Sequence, residues 1–344
     1  MIAALSVPAV LALFLGCATV IAICGVMMTG RADTLADRTG LGEALVGALI
    51  LGAATSLSGT VVSVTAALDG RASLAFSNSI GGIAAQTAFL AIADMSFRRA
   101  NLEHAAAEAT NLIQGVLLIA LLSLPLVALT APEVTLWAMH PVSYAIPLVY
   151  LGGMAVSRQV RQTPMWRPVE TSDTRADTPE EEEQETKRQS TLRIGAEFAA
   201  LMAVMGFAGW LIAQSGSALI DQIGLSASLV GALMTAVATS LPELVTTLAA
   251  VRRGALQLAV GGIIGGNMFD TLFLTLSDAA YRDGSLYHAA TGEDYFWIAT
   301  GIMMTTALLA GLIVRERHGP ARMGVDSLTL ILIYLGAIAI QAVR

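Results

Sequence analysis

Apolar residues run along the chain in stretches of about 20, parted by short clusters of charge, glycine and proline, and a helix of that length crosses a hydrocarbon core of about 30 Å. The pattern predicts spans near residues 5–29, 41–68, 74–96, 111–130, 135–157, 195–218, 225–251, 255–279, 295–314 and 325–342. These form two groups of five. In between, over 158–194, Arg, Glu, Asp, Thr and Pro replace the apolar residues and no hydrophobic face can be drawn, so a solvated linker is expected. The domain plan is a five-helix unit over 1–157, the linker 158–194, and a second unit over 195–344. The first apolar run has no basic segment ahead of it and continues to about Met28. That exceeds a signal-peptide core of roughly 7–15 residues, so it is expected to stay as a helix.

Composition fixes the environment. With 55% hydrophobic and 13% charged residues, against roughly 25% charged in soluble domains, the chain is expected to be an all-α polytopic membrane protein whose partner is the lipid bilayer. Disorder, collagen and a disulfide-built secreted domain are excluded. The net charge of −7 owes much to Glu180, Glu181, Glu182, Glu183 and Glu185, and nothing resembles the basic footprint of a nucleic-acid binder. Cys17 and Cys24 are the only cysteines; they fit neither zinc spacing nor a disulfide framework and are expected to pack. His104, His140, His288 and His318 fall in loops or at helix ends, a poor setting for a buried proton relay. Sixteen of the 19 basic residues lie in one set of loops and only Arg71, Arg282 and Arg344 in the other. By the positive-inside rule both termini should face outward and 158–194 should be cytoplasmic, in a plasma or inner membrane.

The chain repeats itself. Gly47-Ala48-Leu49 returns as Gly231-Ala232-Leu233, and at the same offset of 184 Ala54-Thr55-Ser56-Leu57 matches Ala238-Thr239-Ser240-Leu241. Gly70 matches Gly254, Gly81-Gly82 matches Gly265-Gly266, Phe89-Leu90 matches Phe273-Leu274, and Asp94 matches Asp278. The repeats cover about 41–96 and 225–279. Five helices, an odd number, separate the copies, so the plan is about ten transmembrane helices arranged as two inverted five-helix repeats.

The second repeat carries chemistry at mid-membrane depth. In Ala238-Thr239-Ser240-Leu241-Pro242-Glu243, proline cannot donate to the carbonyl four residues back, which frees carbonyls near Ala238 and Thr239. Thr239 and Ser240 add hydroxyls and Glu243 a carboxylate, a set of hard oxygens suited to Na⁺ or Ca²⁺. An ionised acid at that depth needs a cation or a proton. On the next helix, Asn267 and Asp270 lie three apart on adjoining parts of one face. Asp94 and Asp278, near span ends, are expected to be solvated or capping. Thr55, Ser56, Ser58 and Ser63 can either line a site or bond back to their own helix, and Gln86 can either ligate or make an interhelical hydrogen bond.

These motifs resemble the alpha repeats of the sodium/calcium exchanger superfamily, the cation/calcium antiporters, with their Thr-Ser-Leu-Pro-Glu segment and following Gly-Ser-Asn-x-x-Asn/Asp. The resemblance implies a secondary antiporter working by alternating access, exchanging Ca²⁺ or Na⁺ against Na⁺ or H⁺ with no prosthetic cofactor. It implies Glu243 and Asp270 as central cation ligands, with Thr239, Ser240 and the Ala238 carbonyl lining Na⁺ positions, and draws Asn267, Thr55, Ser56 and Gln86 into the site. The first repeat departs from the pattern. Ser58 and Gly59 stand where Pro and Glu are expected, Ile83 replaces Asn, and Gln86 matches Asp270. The site then carries a formal −2 rather than −3, which one Ca²⁺, two Na⁺ or two protons would neutralise. Two alternatives follow: a Na⁺/H⁺ exchanger without Ca²⁺ transport, and a non-transporting sensor or scaffold that keeps the fold. An intramembrane hydrolase would need a motif such as His-Glu-x-x-His, which the chain lacks, so no enzyme is expected.

Overall fold

The computed structural model describes residues 2–39, 55–97, 100–171, 190–319 and 323–343. Regular structure among them is helical: α1 (Val7–Thr39), α2 (Leu57–Leu68), α3 (Ala72–Ser96), α4 (Leu102–Ala106), α5 (Ala109–Thr130) and α6 (Pro141–Gln162) in the first half. The second half holds α7 (Thr191–Ile223), α8 (Ala227–Thr239), α9 (Leu241–Arg253), α10 (Leu256–Ala280), α11 (Leu286–Ala289), α12 (Gly292–Val314) and α13 (Val325–Val343). Among the described residues seven helices are long and apolar enough to cross a membrane, and α8 with α9 forms one more span bent by 46°. The upstream part of the span expected at 41–68 and most of the linker fall outside the described residues.

The 184-residue offset governs the whole architecture. Helices that begin at 7, 72, 102 and 141 have counterparts that begin at 191, 256, 286 and 325. Gly70 and Gly254, matched in sequence, both take the left-handed conformation at φ 72° and 84°, where a side chain is strained, and each turns its chain tightly into the following helix. The protein is thus an all-α membrane protein whose described helices repeat one plan in two inverted halves.

One expected boundary moves. The span placed at 135–157 begins at Pro141, because Leu136 and Met139 instead exchange backbone hydrogen bonds of 2.7 and 3.1 Å around a turn. Trp137 and Ala138 sit at positive φ in that turn, and proline, which needs no N–H partner, opens the helix after His140.

The centre of the molecule is α3. Of its most apolar window 94% is buried in protein, against 22% for α13. Its sequence, ASLAFSNSIGGIAAQTAFLAIADMS, explains this: small residues allow close approach from all sides, and its polar groups find partners on neighbours rather than in lipid. Around it Phe76, Ile80, Ile83, Leu121, Leu122, Trp297 and Ile298 make the main core. Cys17 packs in a separate cluster with Phe14, Ile21 and Met205 between α1 and α7.

Asp94 and Asp278 cap but are not solvated; both are fully buried. Asp278 accepts from the backbone of Leu286 at 2.9 Å and of His140 at 2.7 Å, and from Ser143 Oγ at 2.6 Å. Asp94 accepts from Leu102 N at 2.7 Å and Gly324 N at 2.8 Å. Since 102 and 140 stand 184 before 286 and 324, these are two copies of one device. Each acid caps a short helix of its own repeat and holds the entry to the last helix of the other.

Candidate functional site

The site grows from two helix breaks. In the second repeat α8 ends at Thr239 and α9 restarts at Leu241, with Pro242 at the first turn. In the first repeat Ser56, the counterpart of Ser240, takes a similar backbone conformation (φ −83°, ψ 0° against φ −94°, ψ 4°) just ahead of α2, although no proline follows. Proline alone therefore does not make the break. Each break is gripped by a glycine on the first helix of the opposite repeat: a Cβ on Gly25 would lie 2.4 Å from Pro242, and one on Gly209 would lie 2.7 Å from the Ser58 carbonyl. Gly25 and Gly209 are again 184 apart, so α1 and α7 reach the two breaks only because neither carries a side chain there.

Between the breaks lies a cavity of about 10 Å³, room for the centre of one small ion or water. Ser56, Gln86, Thr239, Ser240, Glu243 and Asp270 line it, as expected from sequence. Asp270 is held by neutral donors. Ser56 Oγ reaches Oδ1 at 2.6 Å, Gln86 Nε2 reaches Oδ2 at 2.6 Å, and Gln86 also donates to Ser240 Oγ at 3.1 Å. Gln86 thus makes the interhelical hydrogen bond, while its Oε1 has no partner among the described residues. Glu243 differs. It is 6% exposed and the Thr55 hydroxyl lies beside it, yet neither carboxylate oxygen is held in a well-formed hydrogen bond among the described residues.

Three expected residues are not in the lining: Thr55 lies beside Glu243, and Ala238 and Asn267 sit elsewhere. The Ala238 side chain packs outward into the cluster shared by α1 and α7, which leaves only its carbonyl for a site. Asn267 is buried one turn from Asp270; its Nδ2 donates to Thr87 Oγ1 at 2.9 Å and its Oδ1 has no partner among the described residues. The lining also holds Gly59, where a glutamate was expected, and three residues that the sequence did not place in the site: Asn78, Gly82 and Phe273. Asn78 is fully engaged, donating to Gly59 O at 3.1 Å and Ser63 Oγ at 2.9 Å and accepting from Thr235 Oγ1 at 2.6 Å. Phe273 occupies the space a side chain on residue 59 would need, since a Cβ there would lie 2.8 Å from the ring.

Among the described residues no lysine, arginine or histidine lines the cavity. The ion pairs among the described residues, Arg31–Glu197, Arg71–Asp221 and Arg193–Glu197, lie at part-exposed positions. Two buried carboxylates without a basic partner require cations or protons, because desolvating an uncompensated charge costs several kcal/mol.

Residues 9–156 and 194–343 match the family of the sodium/calcium exchanger protein. A protein of Alkalimonas amylolytica named antiporter CaxA is 27% identical over 317 residues, covering 89% of this chain and 90% of its own. The sodium/calcium exchanger MaX1 of Methanosarcina acetivorans is 33% identical over 89 residues, 26% of this chain and 24% of that one. Among solved structures, the sodium-calcium exchanger NCX_Mj superposes with a TM-score of 0.62 at 14% identity, covering 97% of this chain and 99% of its own. The H⁺/Ca²⁺ exchanger CAX does so with a TM-score of 0.64 at 12% identity, over 97% and 86%. These solved structures share the ten-helix fold, and the two-part family match spans most of the sequence: the chain belongs to the sodium/calcium exchanger family of cation antiporters.

Proposed function

We propose that this antiporter exchanges one Ca²⁺ for two monovalent cations, Na⁺ or H⁺, through the cavity between the two breaks. Glu243 and Asp270 supply the charge, while Ser56, Thr55, Gln86, Thr239, Ser240, Asn267 and the Ala238 carbonyl supply or position neutral oxygens. The observation that carries this reading is Glu243, a buried carboxylate with the Thr55 hydroxyl beside it, facing a cavity that also holds Asp270 and, among the described residues, no basic residue. A formal −2 is cancelled by either cargo, so the exchange carries no net charge. That separates the reading from a stoichiometry built on three acids.

The test is flux in proteoliposomes with Na⁺, Ca²⁺ and pH gradients applied singly, under an imposed membrane potential. We expect Ca²⁺ uptake driven by an opposing Na⁺ or H⁺ gradient at a rate the potential does not change. Potential-dependent uptake overturns the stoichiometry, and Na⁺/H⁺ exchange blind to Ca²⁺ overturns the substrate. The same proposal places both termini outside and 158–194 in the cytoplasm, on the count of basic residues in the loops. A cysteine at Gln184 that reacts with an impermeant reagent from outside intact cells contradicts it.

A further inference from the structure

The two aspartate devices at the ends of α3 and α10 share a backbone plan and differ in chemistry. Around Asp278, Ser143 Oγ meets the Tyr287 hydroxyl at 2.9 Å, His140 and Val142 precede Ser143 in sequence, and Val127 lies further upstream. At the same positions 184 residues away, around Asp94, stand Glu103 for Tyr287, Asp326 for Val142, Gly311 for Val127 and Gly324 for His140. Ser327, the counterpart of Ser143, donates to Glu103 Oε1 at 3.0 Å.

The glycines make a cradle. A Cβ on Gly311 would lie 2.0 Å from Asp326 Oδ2, and one on Gly324 would lie 2.2 Å from Asp326 Oδ1 and 3.1 Å from Glu103 Oε2. Glu103 is 1% exposed, and its carboxyl group lies within hydrogen-bonding reach of the half-buried Asp326. Glu103 Oε2 and Asp326 Oδ2 have no donor among the described residues. Ionised carboxylates only accept, so two of them in contact hold together only around a proton.

We propose that Asp94, Glu103 and Asp326 form a proton-binding site at the end of the molecule that carries most of the basic loops, in which Glu103 and Asp326 share one proton that ties α4 to the entry of α13. Burial, then the charges of Asp326 and Asp94, push the Glu103 carboxyl well above its ordinary value. The other charged groups at this junction are engaged elsewhere or held apart. His104 Nδ1 pairs with the Arg315 carbonyl and its Nε2 with Thr171 Oγ1. The Arg315 guanidinium bonds the carbonyls of His104 and Val169, Glu316 accepts from Val325 N, and Arg317 follows in the same connection. The packed face of α10 brings no titratable residue before Asp270. The sign follows: an acid raised in the folded state stabilises it at pH below its ordinary value, and that stability is lost as pH rises through the raised value. Alkalinisation on this side therefore loosens the hold on α13.

The site is tested apart from transport by combining Glu243→Gln with Asp270→Asn, which removes the central carboxyls, and following the infrared band of protonated carboxyl against pH in purified full-length protein. We expect a band that disappears on alkalinisation, together with a fall in Tm. Both should be lost in Glu103→Gln and in Asp326→Asn. The double change Glu103→Tyr with Asp326→Val copies the other device and is expected to fold with a pH-independent Tm. A band that survives these substitutions overturns the proposal. So does one that added Ca²⁺ abolishes at fixed pH as readily as alkali does, since the pocket then binds a metal.

Discussion

The two halves of the cavity share a backbone and have divided the chemistry. The second repeat brings both carboxylates, Glu243 and Asp270, while the matching positions of the first bring Gly59 and Gln86. The first half has become the donor: Ser56 and Gln86 point O–H and N–H at Asp270, and the room that an acid at 59 would need is taken by the Phe273 ring. A duplicated site can therefore lose an acid without losing its shape, provided the partner repeat fills the volume. The helix break makes the same point. It persists in the first repeat without proline because Gly209 still admits the Ser58 backbone.

The comparison is broken most severely at the charged half. Glu243→Gln or Asp270→Asn removes one of two countercharges for a dehydrated ion at a cost of about 3–5 kcal/mol. We expect exchange in proteoliposomes to fall by more than ~100-fold, and near wild-type flux would dissolve the assignment. The neutral half is probed next. Gly59→Glu alone should overpack against Phe273 and cost ~1–3 kcal/mol of stability in a thermal melt. With Phe273→Ala added to open the space, the restored third acid should shift selectivity towards Ca²⁺, whose attraction to a carboxylate is about twice that of Na⁺ at equal distance. Gly59→Gln with Phe273→Ala separates charge from bulk: if it shifts selectivity equally, charge is not the cause.

The end devices offer a third contrast. Asp278→Asn turns an amide donor towards groups that already donate and should cost ~2–3 kcal/mol in a thermal melt. Asp94→Asn should cost less, because it also removes one of three neighbouring acids. Equal losses would mean that Glu103 and Asp326 do not feel Asp94. The smallest effect is expected for Thr239→Val, which removes one neutral oxygen from the lining and leaves the charge unchanged. About 1 kcal/mol corresponds to a roughly fivefold rise in the half-saturation concentration of the ion, read from the concentration dependence of flux.

The architecture was legible because inverted repeats leave two independent records of one plan. Ser56 could be matched to Ser240, and Gly70 to Gly254, before any contact was known. Glu243 and Asp270 were legible because acids are costly at mid-membrane depth. Contacts between repeats were not. Nothing in linear spacing says that Phe273 covers Gly59 or that Gln86 bonds Asp270, since those pairs lie far apart in the chain. Asp94 and Asp278 misled for a related reason: a position near a span end suggests water, whereas short helices folded back over both ends exclude it. The start of α6 was misplaced because an apolar stretch was read as helix where it turns back on itself at Trp137.

The uninterrupted 184-residue offset makes the molecule close to a permutation of itself. If each residue took the conformation now held by its partner 184 positions away, the same fold would result with its two faces exchanged, which is the operation alternating access requires. Identical halves would make the two facings equal in energy, and the transporter would idle between them without preference. Every unlike pair, Gly59 with Glu243, Gln86 with Asp270, Glu103 with Tyr287, lifts that degeneracy, so the divergence between repeats sets which face the unloaded protein presents.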